Sequence, residues 1–160
     1  MERDHTLATS DNPAVAVLPP ILFAGSFVVV LALQWSWPLT IVRAPIAFCL
    51  GLVLSIVALV LGFWGRQTMR GAGTNISPLR PATSLVTTGP FRFSRNPLYV
   101  AITLLYVGFT MLLNSWWGVI LLAPLLVVLH WGVVRREERY LERKFGDCYA
   151  EYRSRVRRYL

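Results

Sequence analysis

Four blocks of apolar sequence, residues 14–33, 44–64, 98–113 and 115–134, take up nearly half of this chain and leave it few ways to fold. Three of them hold about 20 residues, enough to cross ~30 Å of hydrocarbon at 1.5 Å per residue. The block at 98–113 is shorter, but Tyr99 on one side and Trp116–Trp117 on the other are placed to anchor it at the membrane interfaces. Between the last two blocks, Asn114 and Ser115 leave room only for a helical hairpin. The expected fold is all-α: a polytopic membrane helical bundle of about four transmembrane helices, forming a single domain over residues 1–160. Charged residues make up only 15% of the chain and the mean hydropathy is +0.53, against roughly 25% charged residues in soluble domains.

The opening segment, residues 1–13, carries Glu2, Asp4 and Asp11 against Arg3, the wrong charge for a secretory signal. Pro19 and Pro20 mark a kink or a late start of the first helix. Residues 65–97 carry Arg66, Arg70, Arg80, Arg92 and Arg95 and no acid, and the tail after Val134 adds nine basic residues to five acidic ones. The Leu33–Ala44 connection has Arg43 alone, and the turn at 114–117 has no charge. The positive-inside rule therefore places the loop at 65–96, the tail at 135–160 and both termini in the cytoplasm. With no cleavable signal and a small size, a bacterial cytoplasmic membrane is the expected location. The net charge of +8 follows from this topology, and arginines scattered beside apolar spans do not make a nucleic-acid footprint. Cys49 and Cys148 fall on a span and in the tail, with no disulfide or metal spacing.

The loop is punctuated by Gly71, Gly73, Pro78, Pro81, Gly89 and Pro90, yet it keeps Leu79, Leu85, Val86, Phe91 and Phe93. It cannot be one helix, and its apolar content argues for packing over disorder. Asn96 is a good N-cap and Pro97 a good first helical residue, so the third span starts there with its N–H groups facing the loop. In the tail a helix continues to about Phe145, Gly146 is a stop, and Asp147 can cap a second helix. On that helix Tyr149, Tyr152, Val156 and Tyr159 fall at helical spacing, an amphipathic pattern that lies on the membrane or folds back over the loop.

The hairpin brings two clusters together: residues 88–99 and residues 135–138. They offer arginines and helix N–H groups for an anion, carboxylates for a cation and rings for a flat base. Each also has a plainer reading. Arg92 and Arg95 serve as topology signals, Glu137 and Glu138 pair with Arg135, Arg136 or Arg139, Phe91 and Phe93 pack at the interface, and His130 bonds a neighbouring helix.

Taken in order, "LVTTGPFRFSRNPLYVA", an apolar hairpin and "EERYLERKFGDCYAEYRSRVRRYL" resemble the isoprenylcysteine carboxyl methyltransferases, which group with the phospholipid methyltransferases. The match runs from about residue 83 to 160. The resemblance implies S-adenosylmethionine as cofactor and a lipid-like or hydrophobic acceptor, with direct in-line displacement at the sulfonium methyl. It implies cofactor contacts at Leu85, Val86, Phe91, Asn96, Pro97, Leu98, Tyr99 and Glu137; from charge placement, Glu137, Arg95 and Arg92 are the expected catalytic residues. Arg136, Glu138 and His130 are the expected acceptor-side residues, and no metal is expected. The family pattern has tyrosine at Phe91, often histidine at Asn96, and, in the isoprenylcysteine enzymes, arginine at Val133. A carboxylate acceptor would need no general base, whereas an amine would have to be deprotonated. The alternatives are a phospholipid amine N-methyltransferase, a sterol-reductase-like enzyme using a nicotinamide, and a basic membrane subunit that binds anionic lipid without catalysis.

Overall fold

The computed structural model describes residues 18–77 and 80–159. The acidic opening segment, the start of the first apolar block, Pro78 and Leu79 lie outside the described residues. Five helices run through the rest: α1 Pro19–Ser36, α2 Ala44–Gly71, α3 Pro97–Leu112, α4 Trp116–Leu129 and α5 Arg135–Arg155. A 3-10 turn at Gly89–Arg92 precedes α3, and a π-helical turn at His130–Val134 joins α4 to α5. No strand occurs among the described residues. Three helices are long and apolar enough to cross a membrane: α1, α2 and the continuous run that begins at Trp116. The shorter apolar helix is α3, whose 16 residues rise about 24 Å. The protein is an integral-membrane helical bundle.

The two prolines of α1 occupy its first turn, so they mark a late start and no kink. The second apolar block carries its helix seven residues past Trp64, to Gly71, taking Arg66 and Arg70 out of the loop. It stops there because Gly73 adopts φ +66, while Gly73 N donates to Arg70 O at 3.0 Å and Thr74 N to Met69 O at 3.2 Å. These two bonds are the pair that a left-handed residue after a helix makes.

Close packing of α2 on α3 depends on small residues. Gly51, Ser55, Ala58, Gly62 and Gly65 recur along one face of α2, as membrane helices need for near approach of their backbones. A Cβ at Gly51 would lie 2.7 Å from Leu112 N and 2.8 Å from Gly108 O. On the other side of α3, Tyr106 joins Phe23 and Val30 of α1, Leu125 and Leu129 of α4, and Val133 and Val134 in one buried cluster. Phe23 meets the Tyr106 ring edge-on at 5.8 Å, and Ser26 Oγ lies 3.1 Å from the Tyr106 hydroxyl.

The hairpin turn is as short as the sequence requires. Asn114 sits there at φ +50. Its Oδ1 accepts from Ile41 N at 3.0 Å and Val42 N at 3.1 Å, and its Nδ2 donates to Val42 O at 2.7 Å. One side chain therefore ties the α1–α2 connection to the α3–α4 turn. Trp117 Nε1 donates to Trp37 O at 2.7 Å, while Trp116 is 44% exposed, the expected disposition of an interfacial pair.

At the opposite end, α5 breaks at Gly146, which is non-helical (φ +49, ψ −126). The second half then folds back over the loop: Tyr149 and Tyr152 are buried, and the Tyr152 hydroxyl donates to Phe91 O at 2.8 Å. The helix ends at Arg155, so Val156 and Tyr159 do not extend the tyrosine stripe. Val156 is extended (φ −119, ψ 132), and residues 156–159 run as a strap across the start of α3.

Candidate functional site

The site forms where the start of α3, the start of α5, the loop and the strap converge. Pro97 opens α3 as expected, and Asn96 O accepts from Tyr99 N and Val100 N. The Asn96 side chain, however, does not cap the helix. It donates to Arg158 O at 3.0 Å, because the strap offers a carbonyl there, and Ser94 Oγ accepts from Asn96 N at 3.1 Å. Arg95 N donates to Arg157 O at 2.9 Å. The Asn96 side chain, expected as a cap of its own helix, thus serves the tail.

Tyr99 is not an interfacial belt residue. Its hydroxyl donates to Glu137 Oε2 at 2.8 Å, bridging α3 and α5. Burial raises the Glu137 carboxyl above the usual carboxylate range; the Tyr99 bond lowers it and the neighbouring Glu138 raises it further. Glu138 does not pair along its own helix. Its Oε1 lies 3.1 Å from Arg95 Nη1, and Arg158 grips both oxygens at 2.9 Å. Arg95 also donates to the Tyr149 hydroxyl at 3.3 Å, but its Nε is buried without a hydrogen-bond partner. The same side chain lines a polar cavity, which brings its positive charge to that space.

Two cavities meet at these residues. The polar one, about 80 Å³, is lined by Leu85, Val86, Phe91, Arg95, Asn96, Glu137 and Glu138 among others. The second, about 400 Å³, shares Phe91, Arg95, Asn96 and Glu137 with it and extends along Pro97, Leu98 and Tyr99 to Leu18, Pro19 and Pro20 of α1. A third cavity of about 410 Å³ lies between α3 and α4, almost wholly apolar, and Tyr99, His130, Trp131 and Tyr159 are among the residues that line it. Tyr99 thus stands between the two larger spaces.

Most of the expected residues are therefore brought together. Leu85, Val86, Phe91, Arg95, Asn96, Glu137 and Glu138 line the polar cavity, and Pro97, Leu98 and Tyr99 its continuation. Arg92 is exposed on the 3-10 turn and lines none of the three cavities, and Arg136 is exposed on α5. Phe93 is 68% exposed, unlike Phe91. His130 Nδ1 lies 2.8 Å from the Tyr159 hydroxyl, so it bonds the strap and not a neighbouring helix. Arg158, Tyr149 and Tyr152 had no place in the sequence reading of the site. The tyrosine stripe was visible, but nothing local marked Arg158.

A family profile for phospholipid methyltransferases matches residues 46–148, well over half of the chain. The chain belongs to that family. Among curated proteins, this family member is 38% identical over 66 residues to an uncharacterised protein of Haemophilus influenzae, covering 39% of this chain and all of that one. It is 30% identical over 113 residues to the cobalt-zinc-cadmium resistance protein CzcN of Cupriavidus metallidurans, covering 71% of this chain and 48% of that protein. It is 35% identical over 72 residues to the protein-S-isoprenylcysteine O-methyltransferase of Schizosaccharomyces pombe, covering 45% of this chain and 30% of the yeast enzyme. The chain thus matches about half of CzcN and less of the yeast protein. No solved structure matches it. Membership places the chain among the phospholipid methyltransferases, and its likeness to the isoprenylcysteine enzyme falls within that grouping.

Proposed function

We propose that this membrane methyltransferase moves a methyl group from S-adenosylmethionine to a hydrophobic, lipid-borne acceptor. One observation carries the reading: Glu137, fixed by Tyr99, lies in the wall shared by a small polar cavity and a larger one that runs along the start of α3. Together the two lobes fall within the roughly 300–1,000 Å³ of a small-molecule site. The residues present fit the cofactor's charges. Glu137 offers a carboxylate to an ammonium or sulfonium centre, and the Arg95 guanidinium in the same wall offers a cation to a carboxylate. Leu85, Val86 and Phe91 supply apolar and aromatic wall for a nucleoside. When bound, the cofactor supplies an electrophilic methyl on a sulfonium.

The chain's own work is placement and charge. Glu137 and Arg95 hold the two ends of a zwitterion, and residues 96–99 aim the start of α3 at the cleft. The apolar cavity between α3 and α4 takes the acceptor's tail, and Tyr99 separates tail from cofactor. His130 lines that cavity, and Arg92 and Arg136, both exposed, are the cations we assign to the acceptor's headgroup. The arginine-bearing end of α2, Arg92 and Arg95 before α3, and the basic α5 are assigned to the cytoplasmic side, and both termini with them.

A second reading, methylation of a phospholipid amine, is favoured by Val133. The isoprenylcysteine pattern has arginine at this position, but here the side chain is buried in the core cluster at 1% exposure. No cation reaches the acceptor's carboxylate from there.

The test is binding and transfer by the purified protein in detergent. Wild type is expected to bind S-adenosylmethionine with saturable heat and to label an extracted lipid with methyl. Absence of binding at millimolar cofactor sinks the methyltransferase reading. A labelled ester or a labelled amine then chooses between the two acceptors.

A further inference from the structure

Arg158 lies beyond the end of α5 and beyond residues 46–148, the part of the chain that the family profile matches. Its backbone carbonyl is held by Asn96 Nδ2 at 3.0 Å and Ser94 Oγ at 3.3 Å, so the main chain alone fixes where it sits. Its side chain does something separate. Nε donates to Glu138 Oε1 at 2.9 Å and Nη2 stands 2.9 Å from Oε2, a two-pronged grip on a carboxylate side chain that is only 13% exposed. Arg95 Nη1 reaches the same Oε1 at 3.1 Å. One nearly buried carboxylate therefore carries two guanidinium groups.

The two arginines differ in what else they can do. The Arg95 side chain is 8% exposed, lines the polar cavity and keeps an unpartnered Nε. The Arg158 side chain is 37% exposed and lines none of the three cavities. A buried carboxylate with a single cation holds that cation hard, because releasing it leaves an uncompensated charge in a medium of low polarity. A carboxylate already gripped by a second cation releases the first at little cost.

We propose that Arg158 is a positioning residue: it neutralises Glu138 and so leaves Arg95 available to the anionic end of a ligand in the polar cavity. This rests on the cofactor reading above, in which that anionic end is the cofactor's carboxylate. Arg158 does not touch the ligand and acts through Glu138 and Arg95. Without it, Glu138 and the incoming carboxylate compete for one guanidinium.

A double-mutant cycle on cofactor affinity tests this, using the full chain in detergent with S-adenosylmethionine as the probe and calorimetric Kd as readout. Arg158→Ala is expected to weaken binding by about tenfold, the size of one charge-assisted contact. Arg158→Lys is expected to recover part of that loss, since it restores the charge but not the two-pronged grip. In a Glu138→Gln background the competition is gone, and adding Arg158→Ala is expected to change Kd by less than about twofold. Melting temperatures measured in parallel identify any variant that fails to fold, and if Arg158→Ala does, Arg158→Gln takes its place in both backgrounds of the cycle. Equal losses from Arg158→Ala in both backgrounds would overturn the proposal, as would full affinity in the single variant or a lysine variant no better than alanine. Wild type without any binding overturns the cofactor reading and this inference with it. Wild-type binding with an additive cycle overturns the inference alone.

Discussion

The two ends of this bundle are joined by the same kind of bond and differ in everything else. At the hairpin end, Asn114 makes three hydrogen bonds to the backbone of the α1–α2 connection, and no charged side chain takes part. At the opposite end, backbone and side-chain bonds likewise cross long stretches of sequence, from Asn96 to Arg158 and from Tyr152 to Phe91. There they enclose Glu137, Glu138 and Arg95 as well. Between the ends, α2 and α3 are held by close approach of small residues. The comparison separates what makes the protein stand from what gives it chemistry. A structural bond needs partners only, whereas a site keeps groups buried whose partners must come from outside.

The largest effect is expected in the middle, where both ends depend on the helix pair. Gly51→Leu would drive a side chain into Leu112 N and Gly108 O, which are backbone atoms and cannot step aside. Its cost is expected to reach or exceed the ~3 kcal/mol upper range of ordinary overpacking. The check is size-exclusion profile and melting temperature in detergent. A variant that folds and melts like wild type would show that the helices are free to slide apart.

Next in size comes the charged end. Glu137→Gln keeps the shape and a hydrogen-bond acceptor but removes the charge, and is expected to weaken S-adenosylmethionine binding about 100-fold, roughly 2.7 kcal/mol. Stability should move the other way with pH. Burial raises this carboxyl above its unfolded value. Its contribution is therefore full below the unfolded carboxylate range and is lost as pH rises through the raised value. Glutamine should flatten that decline. Wild-type and variant melting curves that stay parallel from acid to neutral pH would remove the buried charge from the account.

The hairpin end supplies the contrast. Asn114→Ala loses three hydrogen bonds and places alanine at φ +50, where a Cβ is unfavourable. The expected cost is about 1–3 kcal/mol in stability, with cofactor affinity unchanged within about twofold because the sites are far apart. A matching fall in affinity would mean that the two ends are mechanically coupled.

The same division explains what could be read from the sequence. The spans, the Pro97 start of α3 and the Gly146 break were legible because each is written in neighbouring residues: a run of apolar side chains, an Asn–Pro, a glycine. The convergence of Tyr99 and Glu137 followed from the shortness of the turn at Asn114. What escaped were pairings with no local period. The Asn96 side chain looked like a cap until the strap presented Arg158 O. Glu138 looked paired with arginines of its own helix until Arg95 and Arg158 took it. The run of α2 to Gly71 escaped for another reason: Arg66 and Arg70 ended the apolar pattern without ending the helix. Once a helix leaves the hydrocarbon, apolar periodicity no longer reports on it.

The smallest expected effect is the most specific. Tyr99→Phe keeps the ring that divides the two larger cavities and removes only the hydroxyl that donates to Glu137. Fold and stability should change by about 1 kcal/mol, the net worth of one such bond. Binding is expected to weaken about threefold to tenfold at neutral pH. The direction of its pH dependence is the decisive reading. The Tyr99 bond lowers the Glu137 carboxyl against the effect of burial, so phenylalanine lets that carboxyl rise further. If the ionised carboxylate binds the cofactor, affinity in the variant should begin to climb at a higher pH than in wild type and converge with it in alkali. Profiles that differ by a constant factor at every pH would instead make Tyr99 a packing residue, and Glu137 would have to find its orientation elsewhere.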